Sequence, residues 1–135
     1  MSLKHFIGKK LDKSNGLIKR ILQRANNEVF HQDLKYKYCS FGEMNPDKTF
    51  YIIRPTSKIE GLLSLFFMVM RNIAYAEENG FIPIVDFLNY ETQYNCDRLI
   101  NNTHNAWEYY FKQVSDISLD EVYKSKNVFV SGWGR

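Results

Sequence analysis

At 135 residues the chain is about the size of one domain and long enough to bury a sizeable core. With 44% hydrophobic and 24% charged residues it has the composition of a soluble globular protein, and a formal charge of +3 does not by itself point to a nucleic-acid partner. The two cysteines, Cys39 and Cys96, lie far apart and outside any CxxC pattern, so they read as reduced cytosolic thiols rather than a disulfide framework.

Residues 1–28 read as a basic arm. Lys4, Lys9, Lys10, Lys13, Lys19, Arg20 and Arg24 face a single acid, Asp12, within the first 24 positions. Leu17, Ile18, Ile21, Leu22 and Ala25 recur at helical spacing, which predicts an amphipathic helix between the turn signals at Asn15 with Gly16 and Asn26 with Asn27. Such an arm, over 4–24, can pack on the domain, lie on anionic lipid or contact nucleic acid. It has no uninterrupted apolar core and no small-residue cleavage site, so a secretory signal is not expected.

An extended piece is predicted around Tyr36, Tyr38 and Phe41, then a turn over 43–47. The first clear strand covers 49–54, rich in β-branched and aromatic residues and ended by Pro55. A helix over 61–79 follows, nearly continuous in apolar character at 62–70 and stopped by Asn79 with Gly80. Its apolar run is far short of the roughly 20 residues needed to span a bilayer, so no transmembrane helix is predicted. Residues 82–86 form a short buried strand with Pro83 near its start and an acid at its end, completing a strand, helix, strand crossover.

The segment 89–104 is polar and loop-like. Short helices are expected at 105–112 and 118–125, the second opened by Ser118 with Glu121 in capping-box spacing. A third strand is expected at 127–131. The fold class is therefore α/β, with a partial Rossmann-like, mostly parallel sheet flanked by helices over 29–135.

Open α/β sheets bind ligands at the carboxyl ends of their strands, so chemistry is sought there. The loop 55–61 is the first candidate: a helix N-terminus presents unpaired N–H groups, Thr56, Ser57 and Lys58 add donors, and Gly61 permits close approach. It is not a P-loop, since the GxxxxGK[ST] spacing is missing. An ordinary capped loop is the alternative. Asp86 can accept from substrate hydroxyls or serve as a base, or it can cap the turn after its strand. In the third candidate, 105–111, Asn105 and Glu108 could bind sugar hydroxyls while Trp107 stacks on a sugar face. The same 16% aromatic content also suits core packing or a subunit interface, and an aromatic stripe of this kind fits a core. His5, His31 and His104 show no ligand spacing with each other or with the cysteines, so no metal site is predicted.

The runs IEGLLSLFFMVMRNIAYAEENGFIPIVDFLNY and NAWEYYFKQVSDISLDEVYKSKNVFVS resemble the N-terminal portion of bacterial glycosyltransferases of capsule and lipopolysaccharide synthesis. More distantly, they are similar to the fucosyltransferase superfamily. The resemblance covers 49–131 and implies the N-terminal, acceptor-side half of a two-domain GT-B-like fold. It implies a saccharide acceptor and a nucleotide-sugar donor, the donor held mainly by a C-terminal half; no cofactor is expected in this chain.

By the same resemblance, the loop at Glu60 and Gly61 and the segment after Asp86 would line the acceptor side. The chain departs from the family in two places: the His-x-x-Arg donor motif is absent, and Glu60, Gly61 and Leu62 replace the Gly-Asn-Gln form of the first loop. The expectation is a cytoplasmic, fragment-like glycosyltransferase relative, peripheral to the membrane through its arm, with Glu60, Asp86 and Glu108 as candidate catalytic carboxylates. The competing expectation is a non-catalytic saccharide- or protein-binding module, with oligomer contacts through its aromatic surface.

Overall fold

A computed structural model of the chain describes residues 37–132; the basic arm, 1–28, lies outside the described residues. Four strands form one mixed sheet: β1 (Lys37–Cys39), β2 (Phe50–Ile53), β3 (Ile82–Val85) and β4 (Val128–Val130), in the spatial order β1-β4-β2-β3. The strands β4, β2 and β3 run parallel, while β1 pairs antiparallel to β4 and makes the sheet mixed. Residue for residue, Ile52 lies opposite both Ile84 and Val130.

Side-chain alternation along β2 divides the core. Tyr51 and Ile53 point to one face and pack with Leu65, Met68, Val69 and Ile73 of helix α1 (Leu62–Glu78). Phe50 and Ile52 point to the other, against Ile84, Val128, Val130 and Val122. All four β2 residues are fully buried, because the strand is central in the sheet and covered on both faces. Each such side chain contributes roughly 1.5–3 kcal/mol of transfer free energy, which explains why this apolar run was legible as a strand. The phenol of Tyr51 is not wasted in the core: it donates to Oδ1 of Asn72 at 2.9 Å, and Asn72 in turn donates to the Met68 carbonyl.

The helix α1 ends as its sequence predicts. Gly80 takes φ +71, the left-handed region that Gly adopts without a Cβ clash, and Phe81 N–H donates back to the Ala76 carbonyl. Pro83 is tolerated because β3 is the edge of the sheet, where a missing donor interrupts no further ladder.

The two later helices are shorter than expected, one turn each: α2 (Trp107–Tyr110) and α3 (Leu119–Val122). Ser118 caps α3 by accepting from Glu121 N–H at 3.1 Å. The extended piece near Tyr38 is β1, joined to the α3 end by backbone bonds from Phe41 and Gly42 N–H to the Ser125 carbonyl. Asn45 opens the predicted turn at positive φ, with Lys48 N–H closing on its carbonyl. Among the described residues no helix is long and apolar enough to cross a membrane.

Candidate functional site

The strand order sets the location. From β2 the chain crosses by α1 to β3 on one side, while β4 lies on the other, so the direction of winding reverses at β2. The crevice beyond the carboxyl ends of β2 and β4 is where such sheets hold ligands. Arg54 follows β2 and Ser131 follows β4. They clasp each other: Arg54 N–H donates to Ser131 Oγ at 3.0 Å, and Arg54 Nε to the Ser131 carbonyl at 2.7 Å. The Arg54 guanidinium lies 5.2 Å from the ring centroid of Tyr90, a cation–π contact that draws the segment after β3 toward this clasp.

Asp86 follows β3 and is completely buried. Its Oδ1 accepts from the backbone N–H of Leu88 and Asn89, at 3.0 and 2.8 Å; its Oδ2 accepts from Asn89 Nδ2 at 3.0 Å and from the Tyr123 hydroxyl at 2.5 Å. This is the capping reading of Asp86 realised in full. Both oxygens are committed to shaping the 87–90 turn and to tying α3 to the strand end. Burial, with the Asp86 hydrogen bond and charge adding to it, holds the Tyr123 phenol far above its ordinary value of 10.0.

The loop 55–61 is held by the segment that follows the Asp86 turn. Gln93 Nε2 donates to the carbonyls of Ile59 and Glu60, at 3.1 and 2.8 Å, and the Tyr94 hydroxyl accepts from Leu62 N–H at 2.7 Å. Tyr94 thus caps α1, at which Gly61 supplies no side-chain cap. Gly61 is exposed, with open space where a Cβ would stand. Thr56 and Ser57 are half-buried in the loop, and Lys58 is exposed, its Nζ 3.9 Å from Glu91. Glu60 lies beside Ser64; burial lifts its carboxyl above the ordinary value, against the opposing pull of the Ser64 hydrogen bond and of Arg71. Lys58, Leu88, Asn89, Tyr90 and Glu91 together line a cleft of about 250 Å³.

The segment 105–111 divides differently from its sequence pattern. Asn105 is buried: its Nδ2 donates to the Val85 carbonyl at 2.8 Å, and its Oδ1 accepts from Phe87 and Trp107 N–H. Trp107 is also buried, stacked on Phe111 at 4.3 Å, edge-on to Phe87, with Nε1 donating to the Lys112 carbonyl. Both side chains fasten α2 to the end of β3. Glu108 alone of the three faces a cleft, separate from the one at Lys58.

The structure therefore brings Lys58 to the turn that Asp86 shapes, sets the loop at Glu60 and Gly61 against Gln93 and Tyr94 of the segment that follows that turn, and leaves Glu108 elsewhere. Arg54 opens the loop after β2 that the sequence marked, and Asn89, Tyr90 and Glu91 belong to the segment after Asp86 that the resemblance assigns to the acceptor side. Sequence reasoning missed Tyr123 and Ser131; Ser131 carried a signal in standing immediately after a strand, while Tyr123 sits in a segment with no distinguishing pattern. Among the described residues no group of His, Cys, Asp and Glu is arranged to hold a metal ion.

Fold and site define a small mixed α/β unit with a cleft beyond the carboxyl ends of β2 and β3. Comparison with protein-family models, curated proteins and solved structures finds no match to this chain.

Proposed function

We propose that the chain is the acceptor-side half of a nucleotide-sugar-dependent glycosyltransferase, of GT-B-like plan, working in the cytoplasm in surface-polysaccharide synthesis. What supports this reading, beside the resemblance over 49–131, is one observation: a cleft lined by Lys58, Asn89, Tyr90 and Glu91 lies where the loop after β2 meets the turn after β3. Amide, carboxylate, ammonium and phenol groups in one concavity suit a polyhydroxylated ligand, and the Asp86 hydrogen bonds preorganise the turn that presents two of them, Asn89 and Tyr90.

In a complete enzyme an acceptor hydroxyl would attack the anomeric carbon of the donor while a carboxylate takes its proton and cations stabilise the departing diphosphate. Of Glu60 and Asp86, Glu60 is the freer proton acceptor, because its side chain is not locked like that of Asp86; burial also raises its pKa above the ordinary value. Lys58 is the local cation for phosphate. The basic arm at 4–24 would hold the protein at the inner membrane face; flotation with anionic and with zwitterionic liposomes tests this, and equal recovery from both removes it.

A second reading, a non-catalytic saccharide-binding module, is favoured by the complete occupation of the Asp86 oxygens. The two separate in one experiment: acceptor oligosaccharides and a panel of nucleotide-sugars are titrated into the chain, with binding followed by amide NMR shifts and turnover by nucleoside diphosphate release. The acceptor-half reading expects saccharide shifts at 58 and 88–91 and release only when a donor-binding half is supplied in trans. Release by the chain alone overturns the assignment to one half. Binding without release under any condition selects the module, and no saccharide binding overturns both.

A further inference from the structure

The strongest unassigned feature is the cleft at Glu108, of about 420 Å³, which shares no lining residue with the cleft at Lys58. Its walls are fixed by two independent devices. The first is a two-residue hairpin: Ile100 and Thr103 exchange backbone hydrogen bonds of 3.1 Å each way, and Asn101 and Asn102 take φ 52 and 60. Asparagine accepts this left-handed pair more readily than most residues, as type I′ turns require. Asn101 Nδ2 then donates to the Tyr109 carbonyl at 3.1 Å, which docks the hairpin tip on the end of α2. The second device is Gln113, whose amide brackets Val85: Oε1 accepts from its N–H at 2.8 Å and Nε2 donates to its carbonyl at 3.0 Å. The far wall is thereby tied to the free edge of the sheet.

Between these walls stand three side chains with different chemistry. Glu108 is half-buried, with Gln113 Nε2 at 3.5 Å as a long and weak partner and Asn105 as a second, and a carboxylate has lone pairs for more acceptors than these two. Lys112 is exposed and lines the same cleft. Tyr110 is 54% exposed on the same cleft, its ring held edge-on to Tyr94, Tyr109 and Phe111. A carboxylate, an ammonium and an exposed aromatic ring on a rigid frame match a neutral ring that has hydroxyls on its rim and apolar C–H faces.

We infer that the cleft at Glu108 is a second saccharide subsite, taking a neutral pyranose with Glu108 and Lys112 on its hydroxyls and Tyr110 against its apolar face. The inference rests on the saccharide reading of the chain and adds a separate place of attachment. It replaces the expectation that Asn105 and Trp107 make the sugar contacts of this segment, since both are buried in the joint between α2 and β3.

The test uses the full chain, labelled with nitrogen-15 and titrated with methyl α-glucopyranoside, methyl α-galactopyranoside and maltotriose to tens of millimolar. Saturable amide shifts are expected at 101 and 108–113. Glu108→Gln should weaken that binding roughly tenfold and Tyr110→Ala roughly fivefold or more, with the spectrum of each variant otherwise unchanged. Shifts confined to 58 and 88–91 overturn this subsite while leaving the proposed function standing. No shift at either cleft sinks both, and binding at 108–113 that neither variant weakens also overturns the inference.

Discussion

The hydroxyl of Tyr123 donates to Oδ2 of Asp86 across 2.5 Å, joining the one-turn helix α3 to the carboxyl end of β3. The two residues stand 37 positions apart, and the bond closes the opposite face of the sheet from α1. It also completes the ring of donors around a buried carboxylate, which would otherwise be left with an unfilled site.

Tyr123→Phe keeps the ring and removes only the donor. A hydrogen bond to a buried carboxylate contributes on the order of 1.5–3 kcal/mol, so the variant is expected to lose about that much stability. Urea unfolding followed by circular dichroism reads it as a lower midpoint at unchanged slope. An unaltered midpoint would show that the contact holds nothing together.

Alkaline pH should destabilise the fold. The Tyr123 phenol is raised in the folded state, by burial first and by Asp86 second, and Tyr109 is raised by burial as well. A group whose folded pKa exceeds its unfolded value stabilises fully below the unfolded pKa, here near 10.0, and that contribution is lost as pH climbs from there toward the folded value. Thermal melts from pH 8 upward are expected to be level at first and to fall above about pH 10. In Tyr123→Phe the fall should be shallower, with the share from Tyr109 remaining; identical curves for the two proteins would refute the assignment.

Two glycines should respond in opposite ways. A Cβ on Gly42 would run into the backbone carbonyl of Lys124, which is itself fixed by the bond from Met44 N–H. Gly42→Ala is expected to cost about 1–3 kcal/mol through displaced backbone. At Gly61 a Cβ meets nothing within 4 Å, so Gly61→Ser should shift stability by less than about 0.5 kcal/mol. If the loop at Gly61 receives the acceptor, that same variant weakens saccharide binding while its melting temperature holds, a separation that calorimetry and titration can read side by side.

Asn105→Ala removes three hydrogen bonds to backbone from a residue only 1% exposed. The freed Val85 carbonyl and Phe87 N–H stay buried, and a loss of roughly 2–4 kcal/mol is expected. Hydrogen exchange should rise first at 85–87 and 105–107. A change below about 0.5 kcal/mol would restore Asn105 as a candidate ligand contact rather than a joint.

The elements legible in the sequence were those whose causes are local. The strand at 50–53 announces itself by consecutive β-branched and aromatic residues, and its central, doubly covered position is what makes such a run favourable. The end of α1 follows from Asn79 and Gly80, and the start of α3 from Ser118, because caps act within one turn of chain. Asp86 was legible as a residue of consequence at a strand end, with capping and catalysis equally open. The N–H groups of Leu88 and Asn89 show it capping the turn, and its further partners, the Asn89 side chain and the Tyr123 hydroxyl, are not identifiable from sequence spacing.

The sequence by itself thus determined an α/β chain, the crossover from 49 to 86 and the loop 55–61 as the place to look. The tertiary structure decided the strand order β1-β4-β2-β3, the antiparallel β1 and the clasp between Arg54 and Ser131. It also decided that Trp107 and Asn105 are buried joints while Glu108, one position on from Trp107, faces solvent across a cleft. The physical reason is range. Propensity, capping and periodicity act over a few residues along the chain, whereas burial and hydrogen-bond satisfaction depend on partners such as Val85 that stand 20 positions from Asn105 and meet it only when the sheet has formed.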